Sequence, residues 1–183
     1  MIRNRQRRLG QIAAALLATA TLTLTTSPAL AAATGSPDGA DEVCWLAAET
    51  GVIQCYDDEA EMAESILDQT GARIVEEGAS TSARSSSALA AASLYPISRM
   101  FEDPDYEGSY LTVTAPSTTF CVNSSVQLSN MGAWSDRVSS VLSYNGCLTR
   151  LWPNINFGGT YATFNDAATL GSMGNASSSY KVY

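Results

Sequence analysis

The apolar and polar positions of this chain divide it into stretches of different character. Residues 12–24 are apolar with interspersed Thr, and residues 32–42 are small and polar. Two short apolar runs follow, Cys44-Trp45-Leu46 and Val52-Ile53-Gln54-Cys55-Tyr56, separated by Ala48-Glu49-Thr50-Gly51. That spacing predicts a β-hairpin with its two cysteines facing each other near the open end. Met62 with Ile66, and Ala63 with Leu67, then recur at helical spacing. Asp58 with Glu61 three residues on predicts a capping box at the start of this helix, and Gly71 its stop. Residues 79–93 are a Ser/Ala-rich linker of low complexity. Beyond it the chain returns to short strand-like runs, among them Ser109-Tyr110-Leu111-Thr112-Val113 and Thr160-Tyr161-Ala162-Thr163-Phe164.

The first segment changes how the rest is counted. Arg3, Arg5, Arg7 and Arg8 precede the apolar run, and Ala29-Leu30-Ala31 offers a small-x-small cleavage pattern. Residues 1–31 therefore read as an export signal, too short and too diluted by Thr to span a membrane, and the mature protein is expected to be secreted. The whole chain has 10 Lys+Arg and 18 Asp+Glu. Four of the basic residues leave with the signal and no acid does, so the mature chain is strongly acidic. An acidic surface argues against nucleic acid or an anionic membrane as partner. The acid is concentrated in residues 32–78, read as a pro-region or accessory hairpin–helix module ahead of the linker, while residues 94–183 are nearly balanced.

Four cysteines, Cys44, Cys55, Cys121 and Cys147, point to two disulfides in an exported chain. They allow three pairings, and proximity in sequence favours Cys44–Cys55 with Cys121–Cys147. The chain contains 0 His, which removes the commonest general base, His-based triads and the usual zinc sites. Glu102, Asp103, Asp105 and Glu107 cluster in eight residues and read as a solvated tip rather than paired catalytic carboxylates. Asn123-Ser124-Ser125 and Asn175-Ala176-Ser177 match glycosylation acceptors. No enzyme is expected. Trp45, Trp134 and Trp152 read as core or hairpin-stacking residues, with Trp134, just before the Ser135 element, kept as the one candidate for an exposed contact.

A repeat in the last ninety residues decides the fold class. Phe101, Tyr106 and Gly108 stand at offsets that Trp152, Phe157 and Gly159 reproduce, and each set precedes a strand-like run. Ser135-Asp136-Arg137-Val138-Ser139-Ser140 is echoed by Gly174-Asn175-Ala176-Ser177-Ser178-Ser179. An aromatic that opens a folded-back hairpin, a second that packs on it and a Gly with positive φ explain the spacing. These motifs resemble the βγ-crystallin superfamily over about half of the chain. The resemblance implies an all-β domain over 94–183, two Greek keys in a sandwich. Tyr110, Leu111, Val113, Val138, Val141, Leu142, Leu151, Tyr161, Phe164 and Tyr180 would supply its core or tyrosine-corner positions.

The same resemblance implies calcium sites. Ser139 and Ser178 match the hydroxyl ligands, Asp136 and Asn175 the acidic or amide position, and Glu102 an extra oxygen in the first key. Pro153 takes the equivalent place in the second key and offers only its carbonyl. Both elements depart from the pattern at their first position, Ser135 and Gly174, which otherwise carries Asp or Asn. The Ser-Ser pairs have a second reading, as hydrogen-bonded ties holding each hairpin down. The whole arrangement resembles small secreted actinobacterial proteins, among them a metalloproteinase inhibitor and killer-toxin-like proteins. Three functions follow: inhibition of an extracellular metalloprotease by a monomer through the loop at Phe120, Cys121 and Val122; a calcium-stabilised extracellular module; or a toxin-like protein.

Overall fold

The computed structural model describes residues 41–47, 50–76 and 92–183. The expected export signal, residues 32–40 of the tail and nearly all of the linker lie outside the described residues.

Strands β1 (Val43–Ala47) and β2 (Val52–Tyr56) form the predicted hairpin, with Gly51 at φ 67° in its turn. Cys44 pairs directly with Cys55 in the register and is bonded to it. Helix α1 (Glu59–Thr70) starts at Asp58, whose side chain accepts from the Glu61 amide, and ends at Gly71 in the left-handed region. The Glu61 carboxylate returns to the Asp57 amide, which completes the capping arrangement one residue earlier than the box predicts. Only the Met62–Ile66 half of the apolar stripe is buried; Ala63 is exposed.

The remaining strands are β3 (Ala72–Ile74), β4 (Ala92–Phe101), β5 (Tyr110–Ala115), β6 (Val126–Leu128), β7 (Ser140–Ser143), β8 (Thr149–Trp152), β9 (Ala162–Phe164) and β10 (Ser179–Val182). One sheet runs β2-β1-β5-β4, with β7 on the far side of β4 and Ala167 bridging to Val141 of β7. The other runs β6-β10-β8-β9. β6 comes from the first half of the repeat yet pairs with β10 of the second, and Ala167 makes the reverse exchange. Each half thus lends its third segment to the other sheet. The result is the all-β pair of interlocked Greek keys that the repeat implies.

Alternation along the strands decides what lies between the sheets. Leu111 and Val113 of β5 meet Ile97, Met100, Trp134, Val138, Val141, Leu151 and Tyr180 there, all of them buried. Of the ten expected core or tyrosine-corner positions, Tyr110 and Tyr161 lie on the outer faces of their sheets, Tyr110 half-buried and Tyr161 51% exposed. Trp134 takes the core reading and not the exposed one: it is 0% exposed, and its indole N–H donates to Cys44 Sγ at 3.2 Å.

The hairpin–helix segment, expected as a module set apart by the linker, contributes strands to the first sheet. β1 pairs in parallel with β5, from Val43 opposite Tyr110 to Leu46 opposite Val113, and β3 pairs in parallel with residues 92–94 of β4. β4 accordingly begins at Ala92, inside the expected linker. α1 lies over the outer face of this sheet, where Val43, Trp45, Met62 and Ile66 form a second apolar cluster with Tyr110 against it. Among the described residues no helix is long and apolar enough to cross a membrane.

Candidate functional site

The two hairpins of the repeat are built alike. Asp105 and Tyr106 in the first, and Asn156 and Phe157 in the second, take positive φ in succession, and Gly108 and Gly159 follow at 76° and 84°. Tyr106 packs edge-on against Phe101 at 5.8 Å, and Phe157 against Trp152 at 5.1 Å. The second serine of each Ser-Ser pair holds its hairpin. Ser140 Oγ donates to the Asp103 carbonyl at 2.6 Å and accepts from the Tyr106 amide. Ser179 Oγ does the same with the Asn154 carbonyl at 2.7 Å and the Phe157 amide. Left-handed backbone at bulky residues is costly, and these paired bonds offset it.

The residues put forward as metal ligands are brought together, but in crossed pairs. Ser139 Oγ donates to Asn175 Oδ1 at 2.9 Å, and Ser178 Oγ points to Asp136 Oδ1 at 3.5 Å. Each pair joins one key to the other, because the Asp136 amide donates to the Ser177 carbonyl and the Asn175 amide to the Val138 carbonyl. Glu102 joins neither pair. Both of its carboxylate oxygens accept from Arg137, Oε1 from Nε at 3.1 Å and Oε2 from Nη2 at 2.8 Å. The hydrogen bonds from Arg137, more than its charge, hold the Glu102 carboxyl below the usual range, and burial opposes them only in part. The Arg137 guanidinium also donates to Glu42 at 2.8 Å and lies 4.7 Å over the Trp134 ring. Asp103, Asp105 and Glu107 are exposed, as a solvated tip requires.

Among the described residues one further group of metal-type ligands consists of Glu42, Cys44 and Cys55, whose ligand atoms lie within 4.8 Å of one another. The two sulfurs are bonded to each other, so the group offers one carboxylate and no thiolate. Cys121 and Cys147 form the second disulfide. Residues Phe120–Asn123 are a single helical turn, α2, rather than the extended segment that a substrate-like inhibitor presents. Phe120 rests on the core, and Val122 is the residue that projects, 75% exposed.

The outer faces of the two sheets carry matching residues. On the first, Arg99 Nε donates to Thr112 Oγ1 and its guanidinium lies over the Tyr110 ring at 4.7 Å. On the second, Arg150 Nε donates to Thr163 Oγ1 and lies over the Tyr161 ring at 4.2 Å. The first face is covered. Glu59 of α1 accepts from the Tyr110 hydroxyl, Glu76 pairs with Arg99 at 2.9 Å, and Trp45 Nε1 donates to Thr114. Among the described residues the second face has no such cover: Tyr161 and Thr163 are exposed, and Trp152, Tyr183 and Lys181 surround Arg150 with its guanidinium 4.8 Å from the Tyr183 ring. The resemblance gave Tyr110 and Tyr161 alike as core or tyrosine-corner positions. The only sequence signal that separates them is the hairpin–helix segment, which the chain supplies once.

No family model matches the chain, and no curated protein matches it. Among solved structures it is similar to a βγ-crystallin domain from Clostridium beijerinckii, with 19% identity and a TM-score of 0.38 over 48% of this chain and 97% of that one. It is similar to the N-terminal domain of protein S at 22% identity and a TM-score of 0.39, over 48% of this chain and 94% of that one. The likeness is to βγ-crystallin domains. The assignment of two Greek keys itself rests on the strand order.

The crystallin-like pattern implies calcium, which takes six to eight hard oxygen ligands. At Ser139 the expected carboxylate, Glu102, has both oxygens on a guanidinium, and the nearby amide oxygen of Asn175 already accepts from Ser139. These residues do not fit the ion. At Ser178 one carboxylate, Asp136, stands by, with the Pro153 carbonyl as the only further contribution expected from the hairpin, and that set falls well short of a full shell.

Proposed function

We propose that the protein is an exported, non-catalytic binding module that recognises an acidic polypeptide through the outer face of its second sheet. The observation that carries this reading is the unequal treatment of two like faces. The Arg99–Tyr110 face is occupied by an acidic stretch of this same chain, with β1 added to the edge of β5. Among the described residues the Arg150–Tyr161 face carries the same groups uncovered, with β9 as the edge strand beside it. Tyr, Trp and Arg together are the side chains that dominate protein-binding hot spots. An open edge adds backbone pairing for an incoming strand. Arg150 and Lys181 supply positive charge on a chain that is acidic overall, which favours a partner bearing carboxylates.

The natural probe is the oxidised peptide of residues 41–76, the segment that covers the equivalent face. Titrated into isotope-labelled full-length protein, it is expected to shift the amide resonances of β8, β9 and β10, and Arg150→Ala with Tyr161→Ala is expected to remove those shifts. Shifts elsewhere, or none at millimolar peptide, overturn the reading.

A second reading, inhibition of an extracellular metalloprotease, is favoured by the Cys121–Cys147 staple beneath a turn from which Val122 projects. A rigid, stapled turn binds with its ordering cost already met. Inhibition of a thermolysin-type protease that Val122→Asp abolishes without lowering Tm supports it. If micromolar protein leaves the protease fully active, the inhibitor reading is dropped.

A further inference from the structure

We infer that the guanidinium of Arg137 is the resident cation of the first-key element, balancing there the charge that the crystallin-like pattern assigns to calcium. Three contacts carry the inference. Glu102 is gripped by two parallel N–H···O bonds, the bidentate geometry that a guanidinium provides and a lysine does not. The remaining Nη1 donates to Glu42, so one cation neutralises two carboxylates from distant parts of the chain. Trp134, fully buried, stacks against the guanidinium plane from the core side and donates its own N–H to the Cys44–Cys55 bridge. The position is specific to one key: where the first element reads Asp136-Arg137, the second reads Asn175-Ala176.

The substitution has a further result. Through Nη1, Arg137 also reaches the N-terminal segment. Glu42 is itself bound to the start of β5, its amide donating to Ser109 Oγ at 3.1 Å and its carbonyl accepting from the Tyr110 amide at 3.0 Å. The cation therefore also fastens the β1–β2 hairpin to the first Greek key. A divalent ion brought to Glu102 meets a fixed positive charge, and removing that charge leaves the Glu42 and Glu102 carboxylates with no cation. Arg137 thus excludes calcium from the site, and a chain without Arg137 becomes calcium-responsive.

The test is thermal unfolding of the full chain in excess EDTA and in millimolar calcium. The wild-type Tm is expected to be the same in both. Arg137→Gln is expected to unfold several degrees lower in EDTA, to recover in calcium, and to lose that recovery when Glu102→Gln is added. No calcium response in Arg137→Gln overturns the inference, as does a wild-type response that Glu102→Gln removes. Should Arg137→Gln fail to fold in either condition, calorimetry on the wild type and on Arg137→Lys, which keeps a charge in place, decides. Calcium uptake that Glu102→Gln abolishes in either protein overturns the inference, and the absence of such uptake sustains it.

Discussion

Two glycines with the same role are unequally replaceable. Gly108 and Gly159 both hold positive φ, so a side chain at either adds left-handed strain of about 1–2 kcal/mol. What an added Cβ meets differs. At Gly108 it comes within 2.6 Å of Asp103 Oδ2, the end of an exposed side chain that can swing away. At Gly159 it comes within 2.6 Å of Cγ of Pro153, a ring that cannot. Gly159→Ala is therefore expected to lower stability more than Gly108→Ala in urea unfolding, and equal losses would show that the backbone strain alone is felt. Glu102 makes a second residue-level expectation. Its carboxyl is held below its ordinary range in the folded chain, so its contribution is complete above about pH 4.3, the unfolded value, and disappears as the pH falls through the folded one. Stability measured from pH 6 to 3 should decline more steeply in the wild type than in Glu102→Gln. Arg137, which holds Glu102, occupies a position that the sequence pattern leaves open to any residue. A lone basic side chain there reads as solvated until its partners at positions 42 and 102 are seen to converge.

At the scale of elements, what was legible follows distance along the chain. The β1–β2 hairpin, the caps of α1 at Asp58 and Gly71, and both aromatic hairpins are set by residues within a dozen positions of one another, and all appear where the pattern placed them. The Cys44–Cys55 pairing followed for the same reason, and Cys121–Cys147 is the pairing that then remains. The Ser-Ser pairs had two readings, and Ser140 and Ser179 make the hairpin ties of the second. Elements whose form depends on remote partners were not legible. The turn at Phe120 becomes helical because Ser117 and Thr119 bond one another before it while Cys121 is anchored to Cys147, and nothing local announces that. The crossing of Asp136 to Ser178 and of Asn175 to Ser139 is likewise a product of how the two keys meet, and pairing by motif alone assigns each to its own key.

For the molecule as a whole, the hairpin–helix segment protects the first sheet. An open sheet edge is a template for association, and β5 is shielded by β1 while Thr112 and Thr114 on its outer face are buried. A chain beginning at residue 92 is expected to expose that edge, to lose several degrees in Tm and to self-associate, which sedimentation velocity would show as species larger than a monomer. A stable monomer from residue 92 onward would mean that the segment serves some end other than cover. Composition placed this segment outside the domain, because its acidity and the Ser/Ala linker suggest a boundary. The boundary in sequence is not one in the sheet, since burial of Trp45 and Leu46 outweighs the change of charge.

The parallel pairing of β1 with β5 also sets the order in which the chain can mature. Glu42 bonds Ser109, a partner 67 residues away, so β1, the first of the described strands, waits for β5, synthesised much later. Local events come first: the Cys44–Cys55 crosslink and the nascent hairpin can form while the rest is still being delivered, but neither has a sheet to join. Contacts of such long separation form slowly. Through that interval the hairpin's apolar side is exposed to other chains. The protein's yield in a cell or a refolding vessel will then be governed less by how stable it finally is than by how long its first strand must remain alone.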